Sequence, residues 1–144
     1  MKSIVELEIH RSQESVATLF ADPENNPKWM DDLDRYEPLS GEPGMPGSRY
    51  RLVPKKGEMV FVATVVSRDL PGEIRLRLDA SNVTVSITAR FLSVSANKTR
   101  LVSEEEFKFK GLVGKVVGFF AQASIRKAHR NHMEAFKRFA EQRG

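Results

Sequence analysis

Residues 74–91, IRLRLDASNVTVSITARF, hold two runs of strict alternation on either side of a turn. Ile74, Leu76 and Leu78 alternate with Arg75, Arg77 and Asp79. Val83, Val85, Ile87, Ala89 and Phe91 alternate with Thr84, Ser86, Thr88 and Arg90. A period of two places each set on one face of a strand, so the pair reads as neighbouring strands sharing one apolar and one solvated face. The Ser81-Asn82 turn is too short for the crossover that parallel strands need, so the pairing is antiparallel.

The same pattern extends in both directions. Upstream lie Tyr36 to Leu39, the loop SGEPGMPGS, Arg49 to Val53, a Lys55-Lys56-Gly57 turn, Met59 to Arg68 and a Pro71-Gly72 turn. Downstream, Ala96-Asn97-Lys98 turns into Thr99 to Phe109. Short strands broken by turn residues at this spacing form a meander. At the other end of the chain Val5, Leu7 and Ile9 alternate with Glu6 and Glu8, giving a first strand. Ser12 then caps a helix with Val16, Leu19 and Phe20 at helical spacing, and Asp22-Pro23 stops it. PENNPKWMDDL, from Pro23 to Leu33, reads as one or two short helical turns with a buried aromatic end.

Leu112 to Gln142 has no proline and reads as one helix of about 30 residues, roughly 45 Å long. Its first half, GLVGKVVGFFAQAS, is apolar nearly all round and is expected to be enclosed between sheet and other protein. Its second half narrows to Ile125, Ala128, His132, Phe136 and Phe139, leaving Arg126, Arg130, Lys137 and Arg138 on other faces. A terminal helix longer than any strand, facing a sheet with one wet side, implies an α+β layout in which a curved sheet wraps the helix.

Composition bounds the function. The 144 residues match one domain, which at this size buries roughly 70% of its unfolded surface. With no cysteine, disulfide scaffolds, thiolate zinc sites and thiol chemistry are excluded. Glu6 and Glu8 interrupt the opening apolar residues, so no signal peptide is read and a cytoplasmic location is expected; no stretch reaches the length of a membrane span. The net charge of +4 is uneven: residues 1–114 carry 16 Lys and Arg against 17 Asp and Glu, and residues 115–144 carry 7 against 2. The excess therefore belongs to the exposed part of the last helix and does not indicate specific nucleic-acid binding, although peripheral contact with an anionic membrane or RNA stays open.

The order of elements, the segment ADPENNPKWM at residues 21–30, the glycine-rich approach from Gly44 to Tyr50 and the ending FKRFAE at residues 136–141 resemble the START-like polyketide cyclase/dehydrase and lipid-transport superfamily. The resemblance spans essentially the whole chain, 1–144, as one helix-grip domain. It implies a curved seven-stranded antiparallel sheet around a long C-terminal helix, with two short helices after the first strand. It also implies a cavity holding a small hydrophobic or amphipathic ligand, such as a lipid or a polyketide-like molecule, carried in some members and chemically transformed in others.

On that expectation Trp29 and Met30 form a wall or lid of the cavity, or else cap the core edge. Phe20, Phe61, Ile87, Phe91 and Phe107 line it from the sheet side and first helix, and Phe120 and Ser124 from the last helix. Gly114 and Gly118, one turn apart, require the close approach of a strand or a ligand. If Leu101, Phe107 and Phe109 face inward, alternation turns Glu105 inward as well, where burial raises its pKa and fits it for proton transfer; an arginine partner or a bulge would remove that role. Tyr50 and His132 are the other candidate proton-transfer groups; His132 is either a polar group near the deep end or, the reading preferred here, an ordinary surface histidine. His129 and His132 share a helix face without a third ligand, so no metal and no cofactor are expected. Monomer and homodimer are equally compatible with the sequence.

Overall fold

The computed structural model describes residues 1–57 and 59–143. Its alternating runs and short turns produce a seven-stranded antiparallel sheet: β1 Lys2–Ile9, β2 Leu33–Ser40, β3 Arg49–Pro54, β4 Phe61–Asp69, β5 Glu73–Asp79, β6 Val83–Ser95 and β7 Lys98–Phe109. The spatial order is β1-β7-β6-β5-β4-β3-β2. Consecutive strands from β2 to β7 are neighbours, as a meander requires, and β1 closes the far edge against β7. The connection from β1 to β2 carries α1 Gln13–Ala21, a 3-10 turn Pro23–Asn25 and α2 Asn26–Trp29. Ser12 caps α1 by accepting from the Ser15 N–H at 3.2 Å, and Asp22 ends it in an extended conformation.

The strand register aligns inward-facing residues in rows. Val83 lies opposite Phe109, Val85 opposite Phe107, Ile87 opposite Glu105, Ala89 opposite Ser103 and Phe91 opposite Leu101. Ser3 of β1 lies opposite Glu105 on its other side. Toward the Phe91–Leu101 row the interior is filled. Phe91, Phe136, Ile9 and Leu101 have no exposed surface, and Phe20 packs edge-on against Phe136 at 5.1 Å and Phe91 at 5.6 Å. Trp29 completes the cluster 5.3 Å from Phe136.

The C-terminal segment differs from expectation. Instead of one helix it forms α3 Gly111–Phe120 and α4 Gln122–Glu141, separated at Ala121. The hydrogen-bond ladder resumes on either side: the Ala121 N–H donates to Val117 O at 3.0 Å and the Ile125 N–H to Ala121 O at 2.9 Å. Alanine is no breaker, and the interruption is confined to Ala121, at φ −90° and ψ −1°. Gly114 and Gly118 hold α3 on the Asn82 carbonyl and the Phe109 ring, whereas α4 packs chiefly on β1. Gly111, at φ 74°, takes the left-handed conformation that turns β7 into α3. At the other end, the Arg11 guanidinium donates to the carbonyls of Glu141 and Arg143, placing a cation on the carbonyl end of α4.

The expected burial along this segment is also reversed. Leu112, Val113, Val116, Val117, Phe119 and Phe120 are exposed, and the enclosed residues, His129, Met133, Phe136, Phe139 and Ala140, lie in α4. The first half is apolar nearly all round, but only its two glycines are buried.

Candidate functional site

Between the sheet and the N-terminal half of α4 lies a cavity of about 460 Å³. Its floor is the inward face of β5 to β7, including Leu76, Leu78, Val83, Val85, Ile87 and Phe107; its other walls include Phe20, Trp29, Met30, Tyr50, Phe61 and Phe109. The hollow follows from the side chains on α4. Where α4 presents Met133 and Phe136 the space is filled, and where it presents Ile125 and Ala128, beyond His129, a hollow is left over the facing rows. Ala89 and Ser103 are small enough for α4 to approach the sheet at the boundary between the two regions.

One polar cluster sits in this apolar enclosure. His129 is 1% exposed, with Nδ1 2.8 Å from Ser3 Oγ and Nε2 2.9 Å from Ser103 Oγ. Each hydroxyl can donate or accept, so a neutral imidazole is satisfied in either tautomer. Burial, reinforced by the neighbouring His132 and Arg130, lowers the His129 pKa to about 4. Glu105 Oε2 lies 3.7 Å from His129 Nε2, beyond hydrogen-bond length. Burial raises the Glu105 pKa to about 7. Both shifts favour the uncharged forms, as expected when removal from water costs more than the pair regains.

Two further polar groups border the cavity. Burial pushes the Tyr50 hydroxyl up to about 12 against the opposing hydrogen bond from Asn26, which keeps it neutral. The Trp29 indole N–H is buried and has no acceptor among the described residues; an unmet buried donor of this kind costs about 1–3 kcal/mol.

The structure brings together Phe20, Trp29, Met30, Tyr50, Phe61, Ile87, Glu105, Phe107 and His132 around this cavity. Three expected residues lie elsewhere. Phe91 has no exposed surface and is packed under Phe20 in the filled end. Phe120 is 80% exposed and Ser124 is exposed, because at about 100° per residue both fall on the side opposite the buried Gly114, Gly118 and His129. His132 is at the rim, 3.4 Å from Asp32, not at the deep end. The deep histidine is His129, and its helical spacing to Met133 and Phe136 is the sequence signal that turns it inward. Among the described residues no cluster of three or more metal-ligating side chains occurs. The close approach at Gly118 comes from a strand side chain: a Cβ there would stand 2.3 Å from the Phe109 ring.

An antiparallel sheet gripping a C-terminal helix over an apolar cavity defines the helix-grip, START-like class of ligand-binding folds. Within it, the family described as "Polyketide cyclase / dehydrase and lipid transport" matches residues 2–141, and the chain belongs to that family. Among solved structures it is similar to the Zhui aromatase/cyclase from a Streptomyces species, with TM-score 0.83 and 19% identity over 99% of this chain and 94% of that one. A START superfamily protein from Mycobacterium smegmatis gives TM-score 0.77 and 18% identity over 98% and 97%. Norcoclaurine synthase from Thalictrum flavum, in complex with dopamine and hydroxybenzaldehyde, gives 0.72 and 14% over 100% and 89%. At these identities the likeness concerns the fold. No curated protein matches the sequence. Among the described residues no helix is long and apolar enough to cross a membrane.

Proposed function

We infer that the protein binds a small, largely apolar, uncharged molecule in the cavity and carries or sequesters it. The observation behind this reading is the enclosure itself: about 460 Å³ lined mainly by apolar side chains, within the size range of small-molecule sites. Its polar groups indicate the ligand's polar end. A neutral Glu105 carboxyl and the free Trp29 N–H are both donors, so a ligand carbonyl or ether oxygen complements them, and a ligand carboxylate would leave its charge without a counter-ion. Native mass spectrometry of protein purified from its own host, with thermal shift against a panel of ketones, esters and fatty acids, tests this. Neutral carbonyl compounds are expected to raise the melting temperature more than the acids. No bound mass and no stabilisation by any compound would refute the reading.

One observation favours a catalytic second reading. A carboxyl with a pKa of about 7 in an apolar cavity can give and take a proton near neutral pH, as enolisation or dehydration of a folded polyketone requires. Product formation by the wild type and its loss in Glu105→Gln, with binding retained, is the expected outcome on that reading. Unchanged ligand recovered from the wild type argues for carriage alone.

A further inference from the structure

Helix α3 turns its apolar side chains away from the sheet. At about 100° per residue, Gly114 and Gly118 mark the inward side, and Leu112, Val113, Val116, Val117, Phe119 and Phe120 spread over roughly 160° of the opposite side. All six are between 51% and 81% exposed. A contiguous patch of this kind marks an interaction surface. We propose that α3 docks on an anionic membrane surface, lying in the interface with its apolar side among the acyl chains.

Charge selects this occupant. From residue 107 to 133 there is no Asp or Glu, while Lys108, Lys110, Lys115, Arg126, Lys127 and Arg130 fall in the same stretch. Among the described residues only Arg130 of these is in an ion pair, with Glu134 at 3.8 Å. Lys110 has Asp79 nearby, but that carboxylate is engaged by Arg77 at 2.9 Å. A second copy seated α3 against α3 would bring two such basic sets together, with no acid in residues 107–133 of either copy to pair with them. An anionic bilayer accepts both the apolar surface and the charge. The docked face backs directly on the cavity, because the Phe109 ring that supports Gly118 also lines it. The docking itself does not depend on which ligand the cavity holds.

Sedimentation of the full chain with vesicles tests the proposal, comparing phosphatidylcholine alone with phosphatidylcholine mixed with phosphatidylglycerol. Binding is expected to be at least about tenfold tighter on the anionic vesicles and to weaken with salt. Phe119→Ser combined with Phe120→Ser is expected to lower that affinity by about tenfold or more at low salt, since apolar insertion is lost while every charge is kept. Leu112→Ser, on the same side of the helix, provides an independent variant with the same expected direction, and the melting temperature reports that each variant is folded. Failure of the wild type to bind anionic vesicles would overturn the proposal. So would unchanged binding by both variants, which would reduce the interaction to adsorption of a basic protein. A dimer in analytical ultracentrifugation that dissociates in the Phe119→Ser, Phe120→Ser variant would assign the face to a second copy instead.

Discussion

The two ends of the space under the sheet are lined by similar apolar residues and differ in what faces them. At the filled end Phe91 and Leu101 of the sheet meet Phe20 and Phe136, and Phe91, Leu101 and Phe136 lose all their exposed surface. At the hollow end Val85, Ile87 and Phe107 meet Ala128, His129 and Ile125, and a cavity of about 460 Å³ remains. Apolar patterning sets which face of a strand turns inward; side-chain volume on the opposing helix sets whether that interior closes. A binding site in this fold thus arises by leaving small and polar residues on one stretch of α4.

Truncating one aromatic residue at each end is the strongest test of that contrast. Phe136→Ala removes a ring with no exposed surface from a cluster of three other aromatics, and should cost about 3–5 kcal/mol. Phe107→Ala removes a half-buried ring that borders the cavity, so it enlarges an existing hollow and should cost about 1 kcal/mol. Urea denaturation of both variants measures the difference. Equal losses would mean that the hollow end is packed as tightly as the filled one.

The Glu105–His129 pair gives a second contrast, read through pH. Glu105 keeps its proton up to about 7 when folded and releases it near 4.5 when unfolded, so its contribution makes stability fall as pH rises through that window. His129 resists protonation down to about 4 when folded, so its contribution makes stability fall as pH drops from about 6.5 to 4. The slopes oppose each other where the windows overlap. Glu105→Gln removes one of them: relative to wild type it should be more stable by up to about 3 kcal/mol near pH 8 and unchanged near pH 4. The variant alone should then show the His129 rise between about pH 4 and 6.5. Denaturation midpoints across pH measure both effects. A less stable Glu105→Gln at pH 8 would show that the pair is ionised and mutually stabilising.

The strands and their pairing were legible because a period of two survives in the sequence wherever one sheet face is wet, whereas the direction of Glu105 stayed open because a bulge in that strand would reverse it. The break between α3 and α4 was not legible, since Ala121 and its neighbours are ordinary helix formers. Phe120 and Ser124 miss the cavity for a simpler reason: at about 100° per residue they fall on the side of the helix opposite Gly114, Gly118, His129 and Phe136, the residues that turn inward. His129 was missed for a different reason. Its partners, Ser3 and Ser103, are 126 and 26 residues away, and no local pattern announces a hydroxyl waiting across the fold.

The smallest effect concerns how α3 is held on the outer side of the hollow end. Both glycines lose about 1 kcal/mol of helix propensity relative to alanine, so Gly→Ala at each would be stabilising if space allowed. At Gly114 it does: a Cβ would meet the Asn82 carbonyl at 3.5 Å, an ordinary contact. Gly114→Ala should therefore be neutral or up to about 1 kcal/mol more stable. At Gly118 the Cβ would fall 2.3–2.6 Å from three atoms of the Phe109 ring, so the ring must swing into the cavity or α3 must lift. That overlap costs about 1–3 kcal/mol, leaving Gly118→Ala less stable by about 1 kcal/mol after the propensity gain. Only a ring displaced inward also takes up ligand volume. A Gly118→Ala variant that loses stability and ligand binding together would show that Phe109 swings inward, whereas lost stability with unchanged binding would show that α3 lifts and the cavity keeps its shape.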